Sequence, residues 1–122
     1  MPAESGSIDT TNLLQVCRSG DAVDVTLLRE LLGYFVDANR DRMQEAARAA
    51  GVESRAELRD IAHAVRGSAA LLGARRLEDL ARVIERDALT SDAGCLSTAV
   101  AALQAEFSAV LTTIQQRHPE AC

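Results

Sequence analysis

The strongest constraint on the fold is the spacing of apolar residues along the last part of the chain. Large apolar side chains recur there at alternating intervals of four and three residues. They are Leu96, Val100, Leu103, Phe107, Val110 and Ile114. This spacing places them along one side of an α-helix. Because a helix with one apolar side must bury it against other helices, the pattern predicts a helical bundle.

Glycines and short polar turns divide the rest of the chain into similar segments. We predict a short helix from Ile8 to Arg18, followed by four main helices. These run from about Asp24 to Ala50, Ser54 to Leu72, Arg75 to Ala88 and Ala93 to Gln116. Gly51 and Gly73 follow two of them, where glycine commonly ends a helix. No segment resembles a strand.

The predicted fold class is therefore all-α, an antiparallel up-down four-helix bundle with a short extra N-terminal helix. The chain of 122 residues is long enough for one domain. We assign residues 8–118 to the bundle, residues 1–7 to a flexible N-terminal lead-in and residues 119–122 to a C-terminal tail.

Composition and charge argue against several classes of partner. The net charge of −5 is unlike the basic surplus of nucleic-acid binders. No uninterrupted apolar run approaches the roughly 20 residues of a membrane span, and the lead-in lacks the pattern of a secretory signal. The wide spacing of the three cysteines (Cys17, Cys95 and Cys122) and of the two histidines argues against a metal site. We expect a cytoplasmic protein with reduced thiols and no membrane, nucleic-acid or metal site.

The third predicted helix carries the residues that point to chemistry. At about 100° of rotation per residue, its apolar residues fall within one arc, which we assign to the core. This core face comprises Leu58, Ile61, Ala62, Val65, Ala69 and Leu72. His63 lies about 140° from the centre of that arc, on the solvent side. Gly67 and Ala70 follow His63 on the same exposed side, and Arg59 and Arg66 flank it.

Gly67 is costly in a helix, by about 1 kcal/mol relative to alanine. Because it lies opposite the core face, packing does not explain it. Gly67 and Ala70 instead leave a surface without large side chains beside the imidazole. Another protein could approach His63 closely over this surface. Free imidazole titrates near pH 6.5, so its neutral nucleophilic form is plentiful at neutral pH. Arg66, one turn away, would offer positive charge to phosphate oxygens.

The stretch His63-Ala64-Val65-Arg66-Gly67-Ser68-Ala69-Ala70-Leu71-Leu72-Gly73-Ala74 resembles the signature of histidine-containing phosphotransfer (HPt) domains. That signature is His, any residue, an aliphatic residue, Lys or Arg, Gly and two small residues, with an aliphatic-Gly pair further on. Ala62 and Leu77 also match, and a weaker likeness extends from about Asp24 to Gln116. Arg66 stands where the family more often has lysine, which keeps the charge but changes the contact geometry.

The resemblance implies that His63 is phosphorylated and relays the group between aspartates of receiver domains in a multistep two-component phosphorelay. The expected partners are response-regulator receiver domains and a hybrid sensor histidine kinase. No nucleotide-binding glycine motif of a kinase occurs, so we expect a phosphocarrier and not an enzyme. No intrinsic cofactor is expected, and the family pattern places Mg²⁺ on the partner receiver domain.

A docking surface for an acidic receiver should combine apolar area with positive charge. In addition to the site residues His63, Arg66 and Gly67, we predict a set of partner-binding residues. They are Arg59, Ala64, Ala70, Leu71, Leu32, Val36, Arg75 and Arg76. Leu32 and Val36 are included because they widen the apolar stripe of the second helix beyond one core face. If alanine substitution of Leu32 and Val36 weakens receiver binding without lowering stability, the result supports this assignment.

Two alternatives remain open from the residues. The chain could be a non-catalytic helical adaptor that binds a receiver or kinase without phosphotransfer, or an HPt module excised from a hybrid sensor kinase. An enzyme with its own small-molecule substrate is disfavoured, because one histidine without an orienting carboxylate or a nucleophile motif makes a thin active site.

Overall fold

The computed structural model describes residues 4–119 and is 78% helical. A short helix precedes four long helices packed as a bundle, so the predicted all-α class is confirmed. The helices are α1 (Thr11–Val16), α2 (Val25–Gly51), α3 (Arg55–Leu72), α4 (Arg75–Asp87) and α5 (Ala93–Arg117). Their bounds lie within a few residues of the predicted ones for the four long helices.

The four long helices are arranged in a ring in which each contacts its neighbours along the chain. α2 packs on α3, α3 on α4 and α4 on α5, and α5 closes the ring by packing on α2. Short turns join them, so consecutive helices run antiparallel. α1 lies against α3. This arrangement leaves the outward side of α3 between α2 and α4.

One small element departs from the prediction that no segment is a strand. The chain forms a two-residue hairpin, with β1 (Arg18–Ser19) antiparallel to β2 (Ala22–Val23). Gly20 has a positive φ of 65°, which a two-residue hairpin turn requires and glycine permits. The hairpin shortens the first predicted helix, which ends at Val16 instead of Arg18.

The core face predicted for α3 is confirmed in full, since all six of its residues are buried. The prediction that Leu32 and Val36 belong to a docking surface is wrong. Leu32 is 1% exposed and Val36 is 5% exposed, and both belong to the main core cluster. The reason is that α2 contacts both α3 and α5, so it buries a wider arc than a helix with one neighbour.

The segment before α1 lies against α5, although residues 1–7 were predicted to form a flexible lead-in. The carboxylate of buried Glu106 accepts hydrogen bonds from Ser5 Oγ at 2.7 Å and from the Gly6 amide at 2.6 Å. Thr113 Oγ1 donates to the Gly6 carbonyl at 2.6 Å. Gly6 has a φ of 75°, and a Cβ there would stand 2.8 Å from the Ala109 carbonyl oxygen. Residues 1–3 and 120–122, with Cys122, lie outside the described residues.

Helix α5 is the one described helix that is long and apolar enough, by length and composition, to cross a membrane. Core helices of bundles pass the same test. The apolar residues of α5 that defined the sequence pattern face into the bundle here. They are Leu96, Val100, Leu103, Phe107, Val110 and Ile114.

Candidate functional site

His63 projects into solvent from the middle of α3. Its side chain is 66% exposed, while its neighbours Ala62 and Val65 are buried on the opposite side of the helix. The expectation that the ring points outward at mid-helix is therefore confirmed. Its position follows from helical phase: the residues that anchor α3 in the core leave position 63 on the outer side.

A carboxylate that the sequence did not indicate lies beside this ring. Glu85 of α4 places Oε1 2.9 Å from His63 Nδ1 and Oε2 2.7 Å from Arg66 Nε. The interpretation that His63 has no orienting carboxylate is therefore wrong. Glu85 was missed because it is 22 residues further along the chain and meets His63 only through the packing of α4 on α3. The sequence shows only that Glu85 follows the apolar residue Ile84, which does not identify the partner of the carboxylate.

Two groups approach His63 Nδ1, and they require opposite proton positions. Glu85 would accept a proton from Nδ1, whereas Arg66 Nη2, at 3.2 Å, would donate one to it. The hydrogen bond from His63 and, secondarily, the contacts with Arg66 hold the pKa of Glu85 below its ordinary value. An ionised carboxylate at the shorter distance favours the tautomer with hydrogen on Nδ1. The lone pair then resides on Nε2, which has no hydrogen-bond partner among residues 4–119.

The surface next to the ring is lined by small or outward-pointing side chains. We call it the His63 strip and define it by His63, Ala64, Gly67, Ala70 and Leu71. A Cβ built on Gly67 would meet nothing within 4 Å, so the space beside His63 is open. Ala70 is exposed, Leu71 is 45% exposed and Ala64 is half-buried. The strip can therefore be approached closely by a second protein.

The predicted arginines have different environments. Arg66 is paired with Glu85, and Arg76 Nε lies 3.3 Å from buried Glu106, so neither is a free cation. Arg59 is exposed, 3.6 Å from Asp60. Arg75 is exposed and lines an open polar cleft with Ala70 at the end of the strip. Only Arg66 among these contacts His63.

Within residues 4–119, no group of three or more His, Cys, Asp or Glu side chains is placed to hold a metal ion. Among the described residues, Glu85 is the one carboxylate in contact with His63. Its two oxygens are engaged by His63 and Arg66, so the local chemistry is that of a hydrogen-bonded imidazole.

A comparison with protein-family models matches residues 30–116 to the Hpt domain. The chain belongs to the Hpt family. The match spans α3, the His63 strip and Glu85, as well as most of α2 and nearly all of α5. Searches among curated proteins and among solved structures found no match. The family assignment therefore rests on the domain match and on the bundle itself.

Proposed function

We propose that this Hpt protein carries a phosphoryl group on Nε2 of His63 and relays it between aspartates of receiver domains. The observation that carries the proposal is the environment of the two ring nitrogens. Nδ1 faces an ionised carboxylate, and Nε2, on an exposed surface, has no hydrogen-bond partner in the part of the chain that the structure describes. Membership in the Hpt family supports the same chemistry.

The transfer balances with the groups present on both proteins. The Nε2 lone pair attacks the phosphorus of an aspartyl phosphate in the partner, forming a P–N bond. The P–O bond to the aspartate breaks, and that carboxylate leaves with the electron pair. The proton on Nδ1 stays, so the phosphorylated ring is an imidazolium. Glu85, 2.9 Å from Nδ1, stabilises the positive charge that develops there.

Reversal of the same step delivers the group to a second aspartate. The imidazolium form is the better leaving group, because expulsion of Nε2 restores a neutral imidazole. Glu85 therefore serves as a positioning residue in both directions, since it holds the tautomer and the ring orientation. Arg66 Nε donates to Glu85 at 2.7 Å, so it helps to hold that carboxylate against His63 Nδ1.

The two proteins supply different parts of the transfer site. Phosphoryl transfer needs in-line positioning and neutralisation of charge. The open space over Gly67 allows the partner to approach His63 in line. We expect Mg²⁺ to be carried by the receiver. We also expect a hybrid sensor histidine kinase to supply the phosphoryl group through its receiver, in the cytoplasm.

The test is labelling by a phosphorylated receiver. A panel of purified receiver domains is charged with radiolabelled acetyl phosphate, and each is mixed with the wild type, His63→Gln and His118→Gln. His118 is the other histidine of the chain, so its variant is the matched control. We expect acid-labile label on the wild type and on His118→Gln, and none on His63→Gln. Receiver binding without label on any variant would refute the carrier function and leave an adaptor.

A further inference from the structure

A buried amide in α2 has no explanation in the packing of the bundle. Asn39 is fully buried, on the same side of α2 as the buried residues Phe35, Val36 and Met43. Its Nδ2 donates to the Phe35 carbonyl at 2.9 Å, and its Oδ1 accepts from Arg42 Nη1 at 3.3 Å. An alanine or leucine would fill such a position without the cost of desolvating an amide. Asn39 therefore indicates that something other than core packing constrains this part of α2.

The group that Asn39 holds is the guanidinium of Arg42, at the edge of the His63 strip. Arg42 Nη1 also donates to Ser68 Oγ at 3.0 Å, and Ser68 donates to the Ala64 carbonyl at 3.3 Å. Ser68 follows Gly67 directly and lies five residues, about 7.5 Å along the helix, beyond His63. Arg66 contacts α4 and Arg42 belongs to α2, so the two arginines border the strip on opposite sides.

The two arginines differ in the charge that they leave available. Arg66 is neutralised by Glu85. Arg42 is half-buried, and within residues 4–119 it forms no ion pair with a carboxylate. Its Nε and Nη2 groups donate to none of the described residues. Arg42 is therefore an uncompensated, pre-positioned cation at the α2 edge of the His63 strip, in a protein of net charge −5.

We propose that Arg42 is a docking residue that binds the anionic surface of the phosphorylated receiver at the α2 edge of the His63 strip. This inference rests on the proposed function. A receiver that carries an acyl phosphate is anionic where it meets His63, whatever its identity. A guanidinium held by Asn39 and Ser68 loses little conformational freedom on binding, and its free donors can form a bidentate contact with a carboxylate or phosphoryl group.

The test compares transfer from the fastest-labelling receiver of the panel into Arg42→Gln, Arg40→Gln and Ser68→Ala. Arg40 is exposed on the same helix, about 200° around its axis, so Arg40→Gln makes the same charge change on another face. We expect Arg42→Gln to lower kcat/KM about tenfold, mainly through KM, and to make it less sensitive to salt. Arg40→Gln should stay within twofold of the wild type.

Ser68→Ala separates docking from a structural role, because it removes the anchor of Arg42 but keeps its charge. We expect Ser68→Ala to raise KM less than Arg42→Gln does, because the charge of Arg42 remains. The midpoints of thermal unfolding of Ser68→Ala and Arg42→Gln should be similar. If Arg42→Gln transfers like Arg40→Gln, or if Ser68→Ala loses as much as Arg42→Gln, the docking role is overturned.

A second measurement needs no variant that alters the site. The measurement is the NMR signal of the Arg42 Nε–Hε group in the wild type. This signal should shift on addition of the same receiver activated with beryllium fluoride, whereas the Arg40 signal should not. An unchanged Arg42 signal on a protein that accepts label overturns this inference alone. Absence of label on the wild type refutes the proposed function itself.

Discussion

The substitution Glu85→Gln tests the part of the site that the sequence did not indicate. It removes the charge facing His63 Nδ1 and keeps the shape of the side chain. A hydrogen bond to a charged group contributes about 1.5–3 kcal/mol. Glu85 is 25% exposed and His63 is 66% exposed, so water screens the interaction and places it at the low end of that range. About 1.4 kcal/mol lost in the transition state corresponds to a roughly tenfold slower transfer.

The loss should appear in the maximal rate, because Glu85 acts on the ring and does not lie on the strip that a partner covers. The assay is rapid-quench measurement of label transfer at saturating phosphorylated receiver. Glu78→Gln is the matched control: Glu78 is also on α4 and its side chain is 22% exposed, but it pairs with Arg82 instead of His63. A maximal rate within twofold of the wild type for Glu85→Gln, or an equal loss for Glu78→Gln, would refute the reasoning.

Four further outcomes are expected. The hydrogen bond from His63 lowers the pKa of Glu85 from its ordinary value of 4.5. The ionised Glu85 carboxylate therefore contributes its full stabilisation above pH 4.5, and this stabilisation is lost as the pH falls below that value. The unfolding free energies of the wild type and Glu85→Gln, measured in urea, should therefore become equal at acidic pH. Gly67→Ala should raise the unfolding free energy by about 0.5–1 kcal/mol. Gly67→Leu should also raise the melting temperature, because leucine is a better helix former than glycine, but it should slow transfer at least about tenfold. Leu32→Ala should lower the unfolding free energy, measured in urea, by about 2–5 kcal/mol and leave the maximal transfer rate unchanged. Glu106→Ala should cost about 1–3 kcal/mol and make the segment before α1 sensitive to proteolysis, with no change in labelling.

The bundle was predictable because its determinants are local. The intervals of three and four residues fixed the phase of each helix, and the outward position of His63 followed from the phase of α3. Gly73 marks the end of α3 both in the sequence and in the structure, where its φ is 77°. A Cβ there would overlap the Asp9 carbonyl oxygen, so this glycine is also required by the approach of the N-terminal segment.

The errors arose where several helices meet. Leu32 and Val36 exceed one core face, and a surplus of apolar residues is compatible with either a docking patch or a second buried face. The contact of α2 with both α3 and α5 decides in favour of burial. Glu85 and Glu106 were missed for the related reason that a carboxylate on a helix gives no signal of its partner until the neighbouring helix is in place.

Two residues depart from what stability alone would select. Gly67 belongs to the His63 strip, and buried Asn39 contacts Arg42 at the edge of that strip. Gly67 weakens α3 at a position where a Cβ would meet nothing, and Asn39 introduces an amide into the core of α2. Departures from local folding rules are expected where function constrains the chain. Gly67 leaves the approach to His63 open, and Asn39 holds Arg42 at the α2 edge of the His63 strip. One functional surface therefore explains both destabilising residues. Two unrelated packing defects would not be expected on neighbouring parts of α2 and α3.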